Sequence, residues 1–183
     1  MSVRRKPVSP PSGLRRLLFR APIRLYRWHL GWLLGGRFVL LTHTGRASGL
    51  PRQAVLEVTG RDPATGAYHL ASGFGPRSQW YRNIQHTPRV TIQVGRHRTA
   101  AIAQPLTPEE SGRVMAAYAL RHPRLARRLM RVCGLEADGS EQDYYLIGRD
   151  HIPFVRVTPA ERPQGRHGQA PRKSEEHSGP SDE

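Results

Sequence analysis

Apolar and polar residues alternate through the middle of the chain, and a period of two residues is typical of half-buried β-strands. The pattern predicts six strands, at residues 37–43, 53–59, 67–72, 89–94, 97–103 and 152–157. Turn residues separate them, including a loop over 60–66 and a tight turn at Gly95-Arg96. Six antiparallel strands with helices at few connections favour a small barrel or a curled sheet.

Helical patterns flank and interrupt these strands. They predict helices over 13–35 with a break at Pro22, over 79–85, over 108–121 and over 123–132, whereas 140–150 is ambiguous. Ser78 is a candidate N-cap for its helix. Thr107 and Glu110 fit a capping box for theirs. The inward residues expected on that helix are Val114, Met115, Ala117 and Tyr118.

The two ends of the chain lack hydrophobic periodicity. Residues 1–12 and 159–183 are rich in Pro, Ser, Gly, Glu and Arg, and such composition is typical of flexible tails. We therefore expect a single folded unit over residues 13–158, with a basic tail before it and a disordered tail after it.

The net charge of +15 adds an expected anionic partner to this picture. The basic residues are concentrated near the start of the chain, where residues 1–61 contain a single acid, Glu57. A membrane surface, a nucleic acid and an acidic small molecule all fit this charge. The basic amphipathic helix over 13–35 fits an anionic membrane surface, and it equally fits a helix packed on its own domain with a solvated arginine face.

Several kinds of site are disfavoured by what the sequence lacks. Cys133 is the only cysteine, and the nine histidines form no His-x-x-x-His pair, so no metal site is expected. No Gly-x-Ser-x-Gly motif is present, and no acid lies between residues 63 and 108. An enzyme built this way would depend on a bound cofactor for its chemistry. No apolar run approaches the roughly 20 residues of a spanning helix, so we expect a cytoplasmic protein, with peripheral attachment to the membrane as an option.

The segment 39–52 runs from an apolar strand into a Thr-Gly-Arg-Ala-Ser-Gly turn. Gly45 and Gly49 permit conformations and close approaches that a Cβ would block. Hydroxyls and the guanidinium groups of Arg46 and Arg52 accompany them, and together they fit a phosphate or carboxylate site. An ordinary hairpin turn also uses these residue types.

The segment 71–84 joins a strand end of small residues to an aromatic helix start. Ala71, Ser72 and Gly73 would let a flat ring approach the backbone. Arg77 and Arg82 flank a helix start whose N–H groups are suited to an anion. The neighbouring Trp80 and Tyr81 would pack against a ring or serve as core anchors.

Three motifs in order carry a specific resemblance: Leu-Thr-His-Thr-Gly-Arg-Ala-Ser-Gly-Leu-Pro-Arg, Ala-Ser-Gly-Phe-Gly, and Trp-Tyr-Arg-Asn-Ile followed by Pro-x-Val. Over residues 25–158 the chain resembles the deazaflavin-dependent nitroreductase and quinone reductase family. The resemblance implies a split β-barrel that binds coenzyme F420 and passes a hydride to a quinone, a nitroaromatic or a similar electrophile. The cofactor-binding residues it implies are Arg46, Ser48, Gly49, Pro51, Arg52, Gln53, Ala71, Ser72, Gly73, Arg77, Trp80, Tyr81, Arg82 and Asn83.

The chain departs from the family pattern at two places. The family turn usually carries Lys where this chain has Ala47, which removes one cation. The family's tyrosines over the ring are replaced, which leaves Tyr118 and His122 as the nearest candidates for a catalytic proton donor or a substrate contact.

Two other functions stay open at this point. Related split barrels bind FMN, so an FMN oxidoreductase is one alternative. A non-catalytic basic protein on a membrane or nucleic acid is the other, but it leaves residues 71–73 and the aromatic helix without a purpose, so nucleic acid is disfavoured. Split barrels commonly pair across their sheets, so a homodimer is an option, and the oligomeric state stays open.

Overall fold

The computed structural model describes residues 36–160. Six strands are present: β1 Phe38–Thr44, β2 Pro51–Arg61, β3 Tyr68–Ala71, β4 Arg89–Val94, β5 His97–Pro105 and β6 Phe154–Pro159. Four α-helices accompany them: α1 Gln79–His86, α2 Pro108–Arg121, α3 Pro123–Cys133 and α4 Glu141–Asp150. The predicted helix over 13–35 and both predicted tails, apart from residues 159 and 160, lie outside the described residues.

The six strands form a closed antiparallel barrel in the order β1-β2-β3-β6-β5-β4. The prediction of a mainly β split barrel with flanking helices is therefore confirmed. Strand β4 has the predicted bounds, because Gly95, at φ 58°, turns the chain directly into β5. Strand β6 ends at Pro159, and Ala160 N donates to Ala100 O, so the barrel includes two residues that were assigned to the tail.

The barrel interior is one of two hydrophobic cores. Alternate residues of the strands fill it, including Val39 and Leu41 from β1 and Val155 and Val157 from β6. Helix α1 adds Tyr81 and Ile84 to the same core. This packing fixes α1 against the barrel and therefore fixes where its polar residues lie.

The second core lies among helices α2, α3 and α4, which we call the helical layer. Its apolar residues include Met115, Tyr118 and Ile147, all essentially inaccessible to solvent. Helices α2 and α4 approach closely through glycine. An ideal Cβ at Gly148 would lie 2.5 Å from Ser111 O and 3.0 Å from Gly112 Cα.

Two expectations about the helices need correction. Ala117 is exposed rather than inward, because the buried face of α2 is made by Gly112, Met115, Ala116 and Ala119, and Ala117 lies off that face. Ser78 occupies the N-cap position of α1, but its side chain does not cap the helix. The predicted capping box of α2 is confirmed: Thr107 Oγ1 accepts from Glu110 N, and Glu110 Oε2 accepts from Thr107 N.

Candidate functional site: a cationic turn against a buried polar network

The turn between β1 and β2 is held by backbone hydrogen bonds. Gly45 N donates to Leu50 O at 2.9 Å, and Gly45 O accepts from Gly49 N at 2.8 Å. Gly49 has φ +66°, which favours glycine. An ideal Cβ at Gly45 would lie 2.9 Å from Ser48 Oγ and 3.2 Å from the backbone oxygen of Leu50, so this position favours glycine for a close approach. Both glycines thus serve the turn geometry that the sequence predicts.

Arg46 connects this turn to helix α1. Its backbone N donates to Asn83 Oδ1 at 3.2 Å, and its Nη1 donates to Asn83 Oδ1 at 3.1 Å and to Gln79 Oε1 at 2.8 Å. The turn and helix α1 therefore meet through one guanidinium group, although its two partners lie 33 and 37 residues along the chain from Arg46. Both partners are neutral amides, so the positive charge of Arg46 is oriented without being neutralised.

Asn83 also contacts His43 on β1. Asn83 Nδ2 lies 3.1 Å from His43 Nδ1, and both side chains are buried. Burial lowers the pKa of His43, and the positive charge of Arg52 lowers it further, while a hydrogen bond with the Thr44 backbone opposes these effects. His43 and Gln79 were not among the predicted site residues, since no local pattern links them to Arg46.

The strand end at residues 71–73 adjoins the start of α1. Ser72 is fully buried, and its hydroxyl donates to Gly75 O at 2.8 Å and bonds with Ser78 Oγ at 2.9 Å. Ala71 packs against the second core. An ideal Cβ at Gly73 would lie 2.9 Å from Cys133 Sγ of α3, and burial raises the pKa of that thiol to about 12.

The aromatic pair at the start of α1 is divided between core and surface. Tyr81 is 7% exposed and belongs to the barrel core, and burial raises its pKa. Trp80 is half-buried against the same core and meets Tyr81 edge-to-face with ring centroids 6.0 Å apart. Tyr81 is thus a core anchor of α1, whereas Trp80 retains an accessible face.

Four arginines line the turn and the α1 segment: Arg46, Arg52, Arg77 and Arg82. We call them the cationic surface. All four are exposed, and none forms an ion pair within residues 36–160. The exposed residues Ser48, Gly49, Pro51 and Gln53 belong to the same turn and the start of β2. No acid lies between residues 36 and 56 or between 63 and 108, so anions are attracted here without competition from nearby carboxylates.

The two predicted catalytic residues lie at the end of α2. Tyr118 is 1% exposed, and its hydroxyl donates to Glu57 Oε1 at 3.5 Å. Burial and the neighbouring Glu57 raise the pKa of Tyr118 to about 12, so the phenol keeps its proton at ordinary pH. His122 is exposed, with its ring centroid 5.6 Å from that of Tyr118. Glu57, the hydrogen-bond partner of Tyr118, lies five positions after Arg52 of the cationic surface on β2. This separation corresponds to about 16 Å along the strand.

No group of three His, Cys, Asp or Glu side chains arranged to hold a metal ion occurs among residues 36–160. In the same part of the chain, no helix is both long enough and apolar enough to cross a membrane.

The fold is a small antiparallel barrel. Beside the strand end at residues 71–73 it presents one oriented arginine, Arg46, and further arginines that form no ion pair within residues 36–160. The chain belongs to the F420H(2)-dependent quinone reductase family, whose model matches residues 20–133. This match makes the protein an F420-type oxidoreductase. No curated protein matches the chain.

Three of the solved structures that are similar to this chain are the following. An F420-H2 dependent reductase, FDR-A, is 25% identical, with coverage of 66% of this chain and 93% of that chain and a TM-score of 0.45. A structure described as a domain-swapped dimer is 22% identical, with coverage of 75% and 99% and a TM-score of 0.45. A pyridoxamine 5'-phosphate oxidase-related, FMN binding protein from Nostoc punctiforme is 13% identical, with coverage of 76% and 80% and a TM-score of 0.43.

Proposed function

We propose that this protein binds coenzyme F420 at the cationic surface and catalyses hydride transfer from the reduced deazaflavin to a quinone, a nitroaromatic or a similar electrophile. The observation that carries the proposal is the attachment of Arg46 to α1 through Gln79 and Asn83. This attachment fixes a guanidinium group in position before any ligand arrives, and preorganised donors bind anions at lower entropic cost.

The chemistry of the donors fits the cofactor. F420 carries a phosphodiester and several carboxylates, and the cationic surface offers guanidinium groups that lack acidic partners among the described residues. Arg46, Arg52 and the hydroxyl of Ser48 would hold the phosphate and the acidic tail. Gly49, Pro51 and Gln53 would shape the turn around them, with Arg77, Arg82 and Asn83 beside the helix start.

The strand end at residues 71–73 would border the deazaflavin ring, with Trp80 beside it. Ser72 would act through shape rather than through its hydroxyl, since that group is already bonded to Gly75 and Ser78. Tyr81 would support the pocket from the barrel core. When bound in its reduced form, F420 supplies the hydride, and the protein's part is to orient the ring and exclude competing reactions.

A proton donor for the product belongs to the same proposal. Tyr118 and His122 are the candidates, and they differ in access to solvent. His122 is exposed to solvent, whereas Tyr118 is buried and bonded to Glu57. We therefore favour His122 as the donor, with Tyr118 positioned beneath it.

Titration of the purified full chain with F420, followed by the cofactor's absorbance or fluorescence, tests the cofactor assignment. We expect saturable binding in the micromolar range and no yellow FMN released on denaturation. Absence of F420 binding at tens of micromolar would overturn the proposal, and release of stoichiometric FMN would favour the FMN alternative. Turnover of reduced F420 with a panel of quinones and nitroaromatics would then identify the acceptor class.

We also infer that the protein attaches peripherally to an anionic membrane, because α3 carries a one-sided arginine stripe. Arg124, Arg127, Arg128 and Arg131 are exposed and follow an i, i+3, i+4, i+7 spacing, so they share one helix face. Ala126 and Met130 are buried on the other face. On the same helix, Val132 is 43% exposed four residues after Arg128, and Leu120 near the end of α2 is 76% exposed. Arginine with exposed aliphatic residues suits a lipid headgroup region.

Co-sedimentation with anionic and zwitterionic phospholipid vesicles tests this inference. Replacing all four α3 arginines with Gln should weaken binding to anionic vesicles, because the stripe supplies part of the attraction. The matched control replaces Arg61, Arg89, Arg96 and Arg98, which are also exposed, and should retain binding at the same net charge. Equal losses of vesicle binding in the two variants would show that net charge, and not the α3 stripe, causes the attraction. Deletion of residues 1–20 would measure how much of the vesicle binding depends on the predicted helix over 13–35.

A further inference from the structure

The buried contact between His43 and Asn83 determines the orientation of Arg46. Asn83 Oδ1 accepts two hydrogen bonds from Arg46, at 3.2 and 3.1 Å, so its Nδ2 amide group is the one that faces His43. An amide N–H₂ only donates, and His43 Nδ1 must therefore accept. This arrangement requires a neutral imidazole with its proton on Nε2.

We propose that neutral His43 is the positioning residue that holds Arg46 ready for the cofactor's phosphate, and that acidification releases Arg46 and weakens F420 binding. Protonated His43 carries N–H on both ring nitrogens, so Nδ1 and the Asn83 amide become two facing donors. The amide of Asn83 then has to turn or withdraw, and either movement removes the Asn83 acceptor of Arg46 and leaves its guanidinium group bonded to Gln79 Oε1. The proposal rests on the proposed function, since it concerns binding of the same cofactor.

The surroundings of His43 favour the neutral form. Arg52 lies opposite His43 in the β1–β2 register, and Arg46 approaches through Asn83. From β4, the register partners of β1 are Gln93, Ile92 and Thr91, which carry no charge. The ionisable residues of α1 are Tyr81, Arg82 and His86, and no acid occurs in that helix. Burial and Arg52 together lower the pKa of His43, so the neutral state persists at neutral pH.

Comparison of wild type with His43→Gln across pH tests the proposal. The Gln amide oxygen can accept from Asn83 Nδ2 but does not titrate. We expect similar F420 affinity for both proteins near pH 7.5. Below the pKa of His43, wild type should lose affinity by up to about tenfold for each pH unit relative to His43→Gln. Because titration of the ligand itself is common to both proteins, the difference isolates His43.

His69→Gln is the matched control. His69 is a half-buried histidine whose pKa is also lowered by burial, but it lies on β3 beside Asp62 and Arg156. This variant should keep the wild-type pH dependence of F420 binding. Identical pH profiles for wild type and His43→Gln would overturn the proposal, as would an equal effect of His69→Gln.

A ligand-free measurement keeps the proposal separate from cofactor binding. Nitrogen–proton NMR of the free protein should show His43 protonated on Nε2 at neutral pH. The Asn83 side-chain amide resonances should shift together with His43 on acidification. A proton on Nδ1 at neutral pH would overturn the proposal even if F420 binds. Failure of wild type to bind F420 at any pH, with the expected NMR result, would instead count against the proposed function alone.

Discussion

The cationic surface and the helical layer satisfy their polar groups in opposite ways. In the helical layer, Thr107 and Glu110 cap α2 reciprocally, and Ser111 Oγ accepts from Phe154 N. At the start of α1, Ser78 Oγ is bonded to Ser72 rather than to the helix. The first turn of α1 therefore has no side-chain cap, and it lies beside arginines that lack ion pairs among the described residues.

The difference separates a region built for stability from one built for binding. Close packing and closed hydrogen bonds where α2 meets α4 leave nothing for a ligand to satisfy there. Oriented but unneutralised donors in the turn and α1 gain most when an anion arrives. Substitutions in the first region should therefore change the free energy of unfolding, and substitutions in the second should change cofactor affinity.

The largest effect is expected from Gly148→Ala in the helical layer. The added methyl group would lie 2.5 Å from Ser111 O, so α2 and α4 must move apart. Overpacking of this kind costs about 1–3 kcal/mol, and here the cost should fall near the upper end because the contact is with backbone. Chemical denaturation would measure it, with Gly36→Ala as control because that site is open. An unchanged midpoint for Gly148→Ala would contradict the close approach.

Among substitutions at the cationic surface, Arg46→Ala should have the largest effect on F420 affinity. Loss of a charge-assisted contact to phosphate should weaken F420 binding by about 1–3 kcal/mol, with little change in stability. Fluorescence titration of F420 measures the affinity. Arg98→Ala is the control, because it removes an exposed arginine of β5 at equal charge cost. Equal affinities for Arg46→Ala and wild type would make the turn purely structural.

Thr107→Ala should lower the free energy of unfolding by about 1 kcal/mol, the usual value of an N-cap. The capping box holds both Thr107 Oγ1 and the Glu110 carboxylate, so both hydrogen bonds are lost or weakened. Thr107→Ser should restore the stability. Cofactor affinity should stay constant in both variants, and a parallel loss of F420 binding would contradict the separation of the two regions.

The smallest effect is a pH dependence of stability. Burial lowers the pKa of both His43 and His69 in the folded protein. The unfolded chain binds protons at about pH 6.5, so stability is complete above that pH and is lost as pH falls through the lowered folded values. Denaturation midpoints of wild type and His43→Gln/His69→Gln between pH 8 and 5 would measure it. Parallel curves of midpoint against pH for the two proteins would show that charging these histidines does not destabilise the folded protein.

Much of the fold could be predicted because its signals are local. The capping residues at Thr107 and Glu110 and the turn at Gly95 act within a few residues, so α2 and β4 were predicted with correct bounds. The sequence of helix α4 was ambiguous because Gly148 weakens its helical propensity. The structure shows why glycine is needed there, since a Cβ at Gly148 would meet the backbone of α2. Ala117 was misplaced for the same reason, since the inward face of α2 depends on a partner helix.

The site was predictable as a set of segments but not as a network. Arg46 and Asn83 were identified separately through the family resemblance, and their direct contact joins residues 37 positions apart. His43 was missed because its partner lies 40 positions away and its own segment resembles an ordinary strand. Contacts of this kind depend on how α1 packs against the barrel, which no local pattern encodes.

Barrel closure also determines when this chain can finish folding during synthesis. Strand β3 ends at residue 71, and its partner β6 begins at residue 154, 83 positions later. At ordinary translation rates the β3 edge stays open for about 4–17 s after it emerges. An open strand edge is a template for intermolecular pairing. The nascent chain is therefore most exposed to aggregation just before its last barrel strand leaves the ribosome.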